Sequence, residues 1–321
     1  MKTRITDLLG IEIPVIQGGM QHLGVPSFAS LVSEAGGAGT VNRTCYGSNE
    51  EFEKALDEMN ALTSRPYIVN ISLLPDASVG DDTLETIRIC GRKGVKAIET
   101  AGTNPANLVD AIHEAGIVHI HKVPAVRYAL SAQKAGVDAV TVVGYECGGH
   151  PGRYDVGSIV LTRKAAKELE IPLIAGGGYA DGYGLAAALC MGADGVVMGT
   201  RFVATKECLL HDNFKQLIVN ATENDTLLCQ QSIRNAFRVA DNGCARECLE
   251  LEAEPPVTIE KLMPVISGQR QIAAFASGDT DDCMFPMGMS AGLVEDVPTV
   301  GELMKNIKEE YEQAVATLTS I

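Results

Sequence analysis

The sequence of 321 residues contains no tryptophan, and aromatic residues make up only 5% of it, whereas hydrophobic residues together make up 46%. A core built from this composition has to be aliphatic. Long apolar runs are missing too: none approaches the roughly 18 residues of a transmembrane helix, and the polar amino terminus lacks the apolar stretch of a signal peptide. We therefore expect a soluble, cytoplasmic protein with no membrane partner.

Cysteine pairs with metal-binding or redox spacing are also missing. The chain has nine cysteines, an odd number, and none of them forms a C-x-x-C motif; Cys244 and Cys248 are the closest pair. This pattern argues against a zinc ribbon and against a disulfide framework. We expect reduced thiols, most of them buried in the core.

Positive charge is scarce. Lysine and arginine number 26 against 41 aspartates and glutamates, which gives a formal net charge of -15. An acidic surface repels a phosphate backbone, so the composition argues against nucleic acid as a partner. An anionic small molecule would have to be held locally, by backbone amides and a few well-placed cations. We expect a small-molecule substrate.

The sequence does contain a series of short apolar segments that are continuous rather than alternating, as expected for parallel strands covered on both faces. The predicted strands are Ile13–Gln17, Ala38–Val41, Tyr67–Ile71, Ala97–Thr100, Val118–Lys122, Ala139–Gly144, Pro172–Ala175 and Gly195–Met198. Eight strands, each followed by a helix, close a TIM (β/α)8 barrel. A doubly wound open sheet is the rival, but it needs a reversal of strand order that sequence cannot show.

The helices between these strands have recognisable ends. Ser48 is a predicted N-cap, with Glu51 at the capping-box spacing. Glycines that can close a helix recur almost periodically: Gly94 to Gly116 is 22 residues and Gly116 to Gly136 is 20. Each interval holds one helix and one strand, which supports the barrel.

The regular pattern stops after Arg201. We predict that residues 1–201 and 296–321 form the barrel, and that residues 202–295 form a helical elaboration packed on it. The predicted helices of the remaining chain are Leu227–Val239, Thr258–Phe275 and Thr299–Leu318.

In a barrel, function lies where strands end. Gly18 and Gly19 end the first strand, where they form a tight turn or let a ligand approach the backbone. Asn70 lies within an apolar strand and needs a partner, because an unpaired buried amide costs roughly 1–3 kcal/mol. Taken alone, a backbone partner is slightly favoured over a ligand.

Alternation in the fifth strand places Ile120 and Lys122 on one face, and His119 and His121 on the other. If Ile120 points into the barrel, Lys122 does so at the mouth and can hold an anionic group; an ordinary exposed lysine is the alternative. His-x-His also suggests a metal. No cluster of carboxylates or histidines stands at matching strand ends, so we predict no metal site.

The sixth strand leads into a long glycine-rich loop that contains Cys147 and His150. The loop is too polar to be core, so His150 is a candidate for proton transfer, which contributes about 10²–10⁴ in rate. Cys147 is a weaker candidate as a nucleophile, since a histidine three positions away is a poor base for it.

The seventh and eighth strands end in Gly176, Gly177 and Gly178, and in Gly199 and Thr200. Loops after these two strands, together with a helix amino terminus, commonly form the phosphate site of a barrel. A dinucleotide fingerprint is excluded here, because the third glycine of G-x-G-x-x-G would fall on position 181, which is aspartate.

Taken together, these motifs resemble the nitronate monooxygenase (2-nitropropane dioxygenase) family, which includes NAD(P)H:quinone reductases and the flavin-dependent enoyl-ACP reductase. The matching segments cover nearly the whole chain: Pro14–Met20, Val69-Asn70, His121-Lys122, Glu146–Gly152, Ala175–Gly178, Met198–Phe202 and Ser290–Gly292. The resemblance implies a TIM barrel with non-covalently bound FMN.

The resemblance also assigns roles to residues. It implies that Gly18, Gly19 and Met20 line the flavin ring, that Asn70 contacts it and that Gly148 lies close to it. It implies Lys122 at the N1/O2 edge, His150 as the active-site histidine, and a phosphate held by Gly176, Gly177, Gly178, Gly199 and Thr200.

Within the family, the segments Glu146–Gly152 and Arg234–Val239 look more like the quinone reductase branch. This implies hydride transfer from NADH or NADPH to the flavin and electron transfer to a quinone-like acceptor, with a homodimer as the expected assembly. Arg153 departs from that branch, which has acidic residues there. The alternatives are a nitronate monooxygenase, an enoyl-thioester reductase and a non-redox barrel that binds a phosphorylated ligand.

Overall fold

The computed structural model describes residues 1–73 and 81–320, and its central feature is a ring of eight parallel strands. The strands are β1 Val15–Gln17, β2 Gly39–Asn42, β3 Tyr67–Leu73, β4 Ala97–Gly102, β5 Val118–Val123, β6 Ala139–Val143, β7 Leu173–Gly176 and β8 Gly195–Met198. Strand β1 pairs with β8, and the Gln17 amide donates to the Ala38 carbonyl at 2.9 Å next to β2. The predicted TIM barrel is confirmed, and each predicted strand lies within two residues of an observed one.

One helix precedes β1 and closes an end of the barrel, and a helix follows each of the strands β1 to β7 around the outside of the ring. They are α1 Arg4–Leu9, α2 Pro26–Glu34, α3 Asn49–Leu62, α4 Asp81–Arg92, α5 Ala106–Glu114, α6 Val126–Ala135, α7 Ser158–Glu168 and α8 Gly182–Cys190. Ser48 caps α3 as predicted, accepting from the Glu51 amide at 3.2 Å, whereas the Glu51 carboxylate accepts from Gly47. No helix of the described residues is both long and apolar enough to cross a bilayer.

The barrel interior has two distinct layers. The layer near the amino-terminal ends of the strands is aliphatic. It takes one residue from, or next to, each strand: Ile16, Ala38, Ile68, Ala97, Ile120, Ala139, Ile174 and Val197. Helix α1 closes this end of the barrel with Ile5 and Leu9. Because side chains alternate, the residue two positions further along each strand faces inward again. These eight residues are Gly18, Thr40, Asn70, Glu99, Lys122, Thr141, Gly176 and Gly199. The interior therefore changes from hydrocarbon to glycine and polar groups at its carboxyl end.

Beyond the barrel strands the chain forms α9 Thr200–Val203, α10 Asp212–Asn220, β9 Thr226–Cys229, β10 Phe237–Ala240, α11 Gly243–Glu252, α12 Ile259–Ile266, α13 Gly268–Ser277 and α14 Val300–Thr319. Helix α14 packs on α8 and α2. The predicted final helix is confirmed, and the predicted helix Thr258–Phe275 is confirmed as α12 and α13, with a break at Ser267, which caps α13.

The predicted helix Leu227–Val239 is wrong, because this segment forms an antiparallel hairpin of β9 and β10. Its apolar residues fall into two short groups separated by a polar loop. The predicted helix wrongly included that loop. Gln230 and Arg234 adopt positive φ angles of 61° and 60° in that loop, a conformation that no helix tolerates.

The hairpin is fastened to the loop after β6. Gly149 and Arg238 exchange two backbone hydrogen bonds, of 2.9 and 2.6 Å. The buried Arg238 guanidinium also donates to the Tyr145 carbonyl at 3.0 Å and to Thr226 Oγ1 at 2.9 Å. The hairpin is thus built directly onto the loop that carries His150.

On the outer face of β5, two buried imidazoles share one hydroxyl. Thr100 Oγ1 lies 2.8 Å from His119 Nε2 and 2.8 Å from His121 Nδ1. Burial lowers the pKa of each ring to about 4, so both are neutral at neutral pH.

This pair predicts a loss of stability in acid. Since the pKa of each ring is about 4 in the folded protein and about 6.5 in the unfolded chain, the unfolded chain binds more protons between those values. The stability present at neutral pH is therefore lost as the pH falls from 6.5 to 4, by up to roughly 3 kcal/mol for each ring.

Urea unfolding at several pH values measures this loss. We expect His119→Gln to flatten the pH dependence of the free energy of unfolding between pH 4 and 6.5. The exposed His211 provides the control, and His211→Gln should leave that slope unchanged. If the free energy of unfolding of His119→Gln depends on pH as steeply as that of the wild type, His119 does not cause the loss of stability in acid.

Candidate active site

A cavity of about 1300 Å³ opens at the carboxyl end of the barrel. Typical small-ligand pockets measure roughly 300–1,000 Å³, so this one has room for a cofactor and a substrate together. The predicted residues that line it are Gly18, Gly19, Met20, Asn70, Lys122, Gly148, His150, Gly177, Gly178, Gly199 and Thr200. Gly176 lies below the cavity, where an added Cβ would come within 2.6 Å of Val197 Cγ1.

The wall formed by the ends of β7 and β8 consists of backbone. Gly177 and Gly178 have φ angles of +87° and +81°, which other residues rarely adopt. No acceptor among the described residues meets the amides of Gly178 and Gly199. An added Cβ on Gly199 would meet no heavy atom within 4 Å, so this position borders open space. Free amides around an open space suit a phosphate group.

Thr200 begins α9, which has only four residues, so the expected field of a helix amino terminus is weak here. Its side chain is buried, and its Oγ1 accepts from the Gly288 amide at 3.0 Å. The hydroxyl hydrogen remains available to a ligand in the cavity. The amides and this hydroxyl together are a fitting donor set for the phosphate group of a ligand.

The opposite wall is a network of polar side chains at the ends of β3, β4 and β5. Glu99 Oε2 accepts from Asn70 Nδ2 at 2.7 Å and from Lys122 Nζ at 2.9 Å. The expectation of a backbone partner for Asn70 is therefore wrong, because a buried carboxylate attracts the amide donor more strongly. Lys122 points into the barrel mouth as predicted, with its charge paired.

Two of the predicted glycines allow close packing within the site. An added Cβ on Gly19 would come within 2.4 Å of Asn70 Cγ, and one on Gly148 within 2.7 Å of the Gly288 amide nitrogen. The turn after β1 thus rests on Asn70, and the loop after β6 rests on the segment that donates to Thr200. Any larger residue would push these walls apart.

His150 lies on the cavity wall beside the hairpin. Its ring centroid is 4.6 Å from that of Phe237 in β10. Surrounding protein lowers the pKa of His150, and the positive charge of Lys122 lowers it further, so the imidazole is neutral at neutral pH. Burial raises the pKa of the nearby Cys147 to about 12, which makes that thiol a poor nucleophile.

Sequence reasoning missed Glu99 and Phe237 as parts of the site. A signal for Glu99 existed: it is a charged residue in an apolar strand, two positions beyond Ala97, as Lys122 is two positions beyond Ile120. The described residues contain no cluster of three or more potential metal ligands, and the two histidines of β5 point at Thr100 instead.

Fold and site together define a TIM-barrel enzyme with a large cavity that suits a phosphorylated ligand. Residues 2–310 match the family model described as nitronate monooxygenase. The chain belongs to the nitronate monooxygenase family, whose members are oxidoreductases.

Individual relatives cover nearly the whole chain. A Rhodococcus jostii protein named (3aS,4S,5R,7aS)-5-hydroxy-7a-methyl-1-oxo-octahydro-1H-indene-4-carboxyl-CoA dehydrogenase is 34% identical, over 100% of this chain and 99% of its own length. A probable nitronate monooxygenase of Staphylococcus aureus is 28% identical, over 97% and 98% of the two chains. The solved structure of FabK from Thermotoga maritima has a TM-score of 0.91 and 34% identity, and the alignment covers 100% of this chain and 99% of that one.

Proposed function

We propose that this chain is an FMN enzyme that takes hydride from NADH or NADPH and reduces a quinone-like acceptor. One observation carries the proposal: a wall of free glycine amides faces a polar wall containing a lysine across a cavity of about 1300 Å³. Gly177, Gly178 and Gly199 would hold the phosphate. When bound, the flavin accepts hydride and passes on electrons.

The protein's own residues position the reactants. Asn70 and Lys122 would fix the polar edge of the ring, and Gly18 and Met20 would lie along it. The neutral imidazole of His150 donates a hydrogen bond to the acceptor. The imidazole packs against the ring of Phe237.

Anaerobic mixing with NADH or with NADPH tests the proposal. We expect either donor to bleach the visible absorption of the bound flavin, and a quinone to restore it. A yellow protein that neither donor bleaches would rule out the reductase activity. A colourless protein that cannot be reconstituted with FMN would favour a non-redox barrel that binds another phosphorylated ligand.

Two arginines at the cavity favour a phosphorylated donor. Arg153 and Arg234 both line the cavity, three residues from His150 and Phe237 respectively, on the two loops that these rings bring together. Both side chains are exposed, and neither is paired with a carboxylate among the described residues, although the chain is strongly acidic. Arginine is well suited to grip phosphate groups.

The prediction is that Arg153→Gln and Arg234→Gln each raise KM for the nicotinamide donor about tenfold with little change in kcat, since a charge-assisted bond contributes roughly 1.5–3 kcal/mol. Steady-state kinetics at low salt measures this. Arg163, an exposed arginine on α7 away from the cavity, is the matched control, and Arg163→Gln should behave as wild type. An unchanged KM for the donor in both cavity variants would show that neither arginine binds the nicotinamide donor.

Oxidation of alkyl nitronates is the second candidate, and the neutral state of His150 favours it. A neutral imidazole can take a proton from the α-carbon of a nitroalkane, or donate a hydrogen bond from its N–H to an anionic nitronate. Oxygen uptake with propyl nitronate in the absence of NAD(P)H would identify this activity. Reduction of an enoyl thioester is a third candidate, supported by the relative named as a carboxyl-CoA dehydrogenase; thioester turnover would identify it.

A further inference from the structure

A buried carboxylate lies within the polar wall, and the proposed reaction does not use it. Glu99 is only 4% exposed and is itself no part of the cavity lining. Its carboxylate accepts from Asn70 at 2.7 Å and from Lys122 at 2.9 Å, and Thr141 Oγ1 lies 3.4 Å from its second oxygen. Three donors from three strands therefore converge on one acidic side chain.

This arrangement changes the electrostatics expected from the sequence. A lone lysine at the barrel mouth presents one positive charge to a ligand. The 2.9 Å pair of Lys122 with Glu99 has no net charge, and it lies in a poorly solvated region where charges act strongly on their neighbours. A ring bound beside Lys122 thus meets a neutral pair.

We propose that Glu99 sets the reduction potential of the bound flavin: it holds Lys122 in place and cancels its charge, so the ring is harder to reduce than beside a free lysine. The inference depends on the proposed function only for the presence of the flavin. Glu99 is a positioning residue, because it acts through side chains that themselves line the cavity.

Glu99 also fixes which atom of Asn70 faces a ligand. The amide nitrogen has to point at the carboxylate, since two oxygens would repel each other there. The carbonyl oxygen of Asn70 is then left to accept from an N–H group in the cavity. A flavin ring carries such a group on its pyrimidine edge.

The test is a potentiometric titration of the FMN-loaded protein with a chemical reductant and a reference dye. It needs neither nicotinamide nor acceptor. Glu99→Gln keeps the acceptor oxygen and leaves Lys122 unbalanced. We expect the ratio of reduced to oxidised flavin at fixed potential to rise at least tenfold, an upward shift of about 30 mV for a two-electron couple.

The charge on the pair makes a double-mutant cycle decisive. Lys122→Met leaves the carboxylate alone and should lower the potential by at least the same amount. The double variant Glu99→Gln/Lys122→Met is neutral again and should return close to wild type. If Glu99→Gln alone does not fold, the double variant compared with Lys122→Met carries the same test.

Asp194 supplies the matched control. It is a buried carboxylate paired with Arg4 at 2.7 Å at the opposite end of the barrel, so Asp194→Asn should leave the potential unchanged. The inference is overturned if the flavin of Glu99→Gln has a reduction potential at or below that of the wild type. It is also overturned if the double variant does not return to the wild-type potential. If the variants show the expected order of reduction potentials but NADH and NADPH do not reduce the flavin, only the proposed reductase activity is overturned. A wild-type protein that binds no FMN overturns both.

Discussion

Gly199→Val should abolish FMN retention while the barrel stays folded. Gly199 has a φ angle of -112°, outside the left-handed region that favours glycine, and an added Cβ meets no heavy atom within 4 Å. The Cβ of a valine would therefore collide with no protein atom, while its methyl groups would occupy the space in which the phosphate would lie. We expect at least a 100-fold loss of FMN affinity, which corresponds to about 2.7 kcal/mol.

Isothermal titration of the apoprotein with FMN measures this loss, and thermal unfolding without FMN checks the fold. Gly301 in α14 is the matched control, since an added Cβ there also meets nothing within 4 Å, and it lies far from the cavity lining. Gly301→Val should bind FMN as the wild type does. Purification of yellow Gly199→Val protein would place the phosphate elsewhere.

His150→Ala should keep the flavin and its reduction by NAD(P)H, but slow the transfer of electrons to the acceptor by about 10²–10⁴. The reason is geometric: the ring lies on the cavity wall beside Phe237, while the glycines that would hold the phosphate end other strands. Stopped-flow measurement of the two half-reactions separates the effects. An unchanged oxidative rate would make His150 a structural residue.

The pH profile gives an independent check on the same residue. The pKa of His150 is lowered, so the neutral ring persists below the usual range of histidine. If the neutral ring is required, the rate is constant through neutral pH and falls in acid as the ring takes up a proton. This acid limb should vanish in His150→Ala and persist in the control His113→Ala, an exposed residue of α5.

The barrel could be predicted because its local and global signals agree. Most strands are predominantly apolar runs, and glycines such as Gly94, Gly116 and Gly136 close helices at nearly equal spacing, all with positive φ angles. Residues at strand ends could then be placed at the mouth without knowledge of any contact. This is why Gly199 and Lys122 line the cavity as the sequence suggested.

The features that the sequence did not predict, the hairpin of β9 and β10 and the role of Glu99, depend on contacts between distant residues. The hairpin of β9 and β10 was read as a helix because its pairing partners, Phe237 with Cys229, are joined by a loop without a recognisable turn motif. Glu99 was overlooked because its partners lie 29 and 23 residues away in sequence. Alternation within β4 places Glu99 inside the barrel, but neither local propensity nor spacing reports which distant residues a side chain contacts.

Because the barrel interior has two layers, the cavity forms only when each strand has the correct register. A slip of β5 by one residue would turn the imidazoles of His119 and His121 inward and force the ammonium group of Lys122 against the surrounding helices. A misaligned chain would thus lose one wall of the cavity. A ligand that needs both walls stabilises only the correctly aligned barrel, by about 2.7 kcal/mol at a concentration 100 times its Kd. Binding of that ligand would then favour the correctly aligned barrel over misaligned forms at equilibrium.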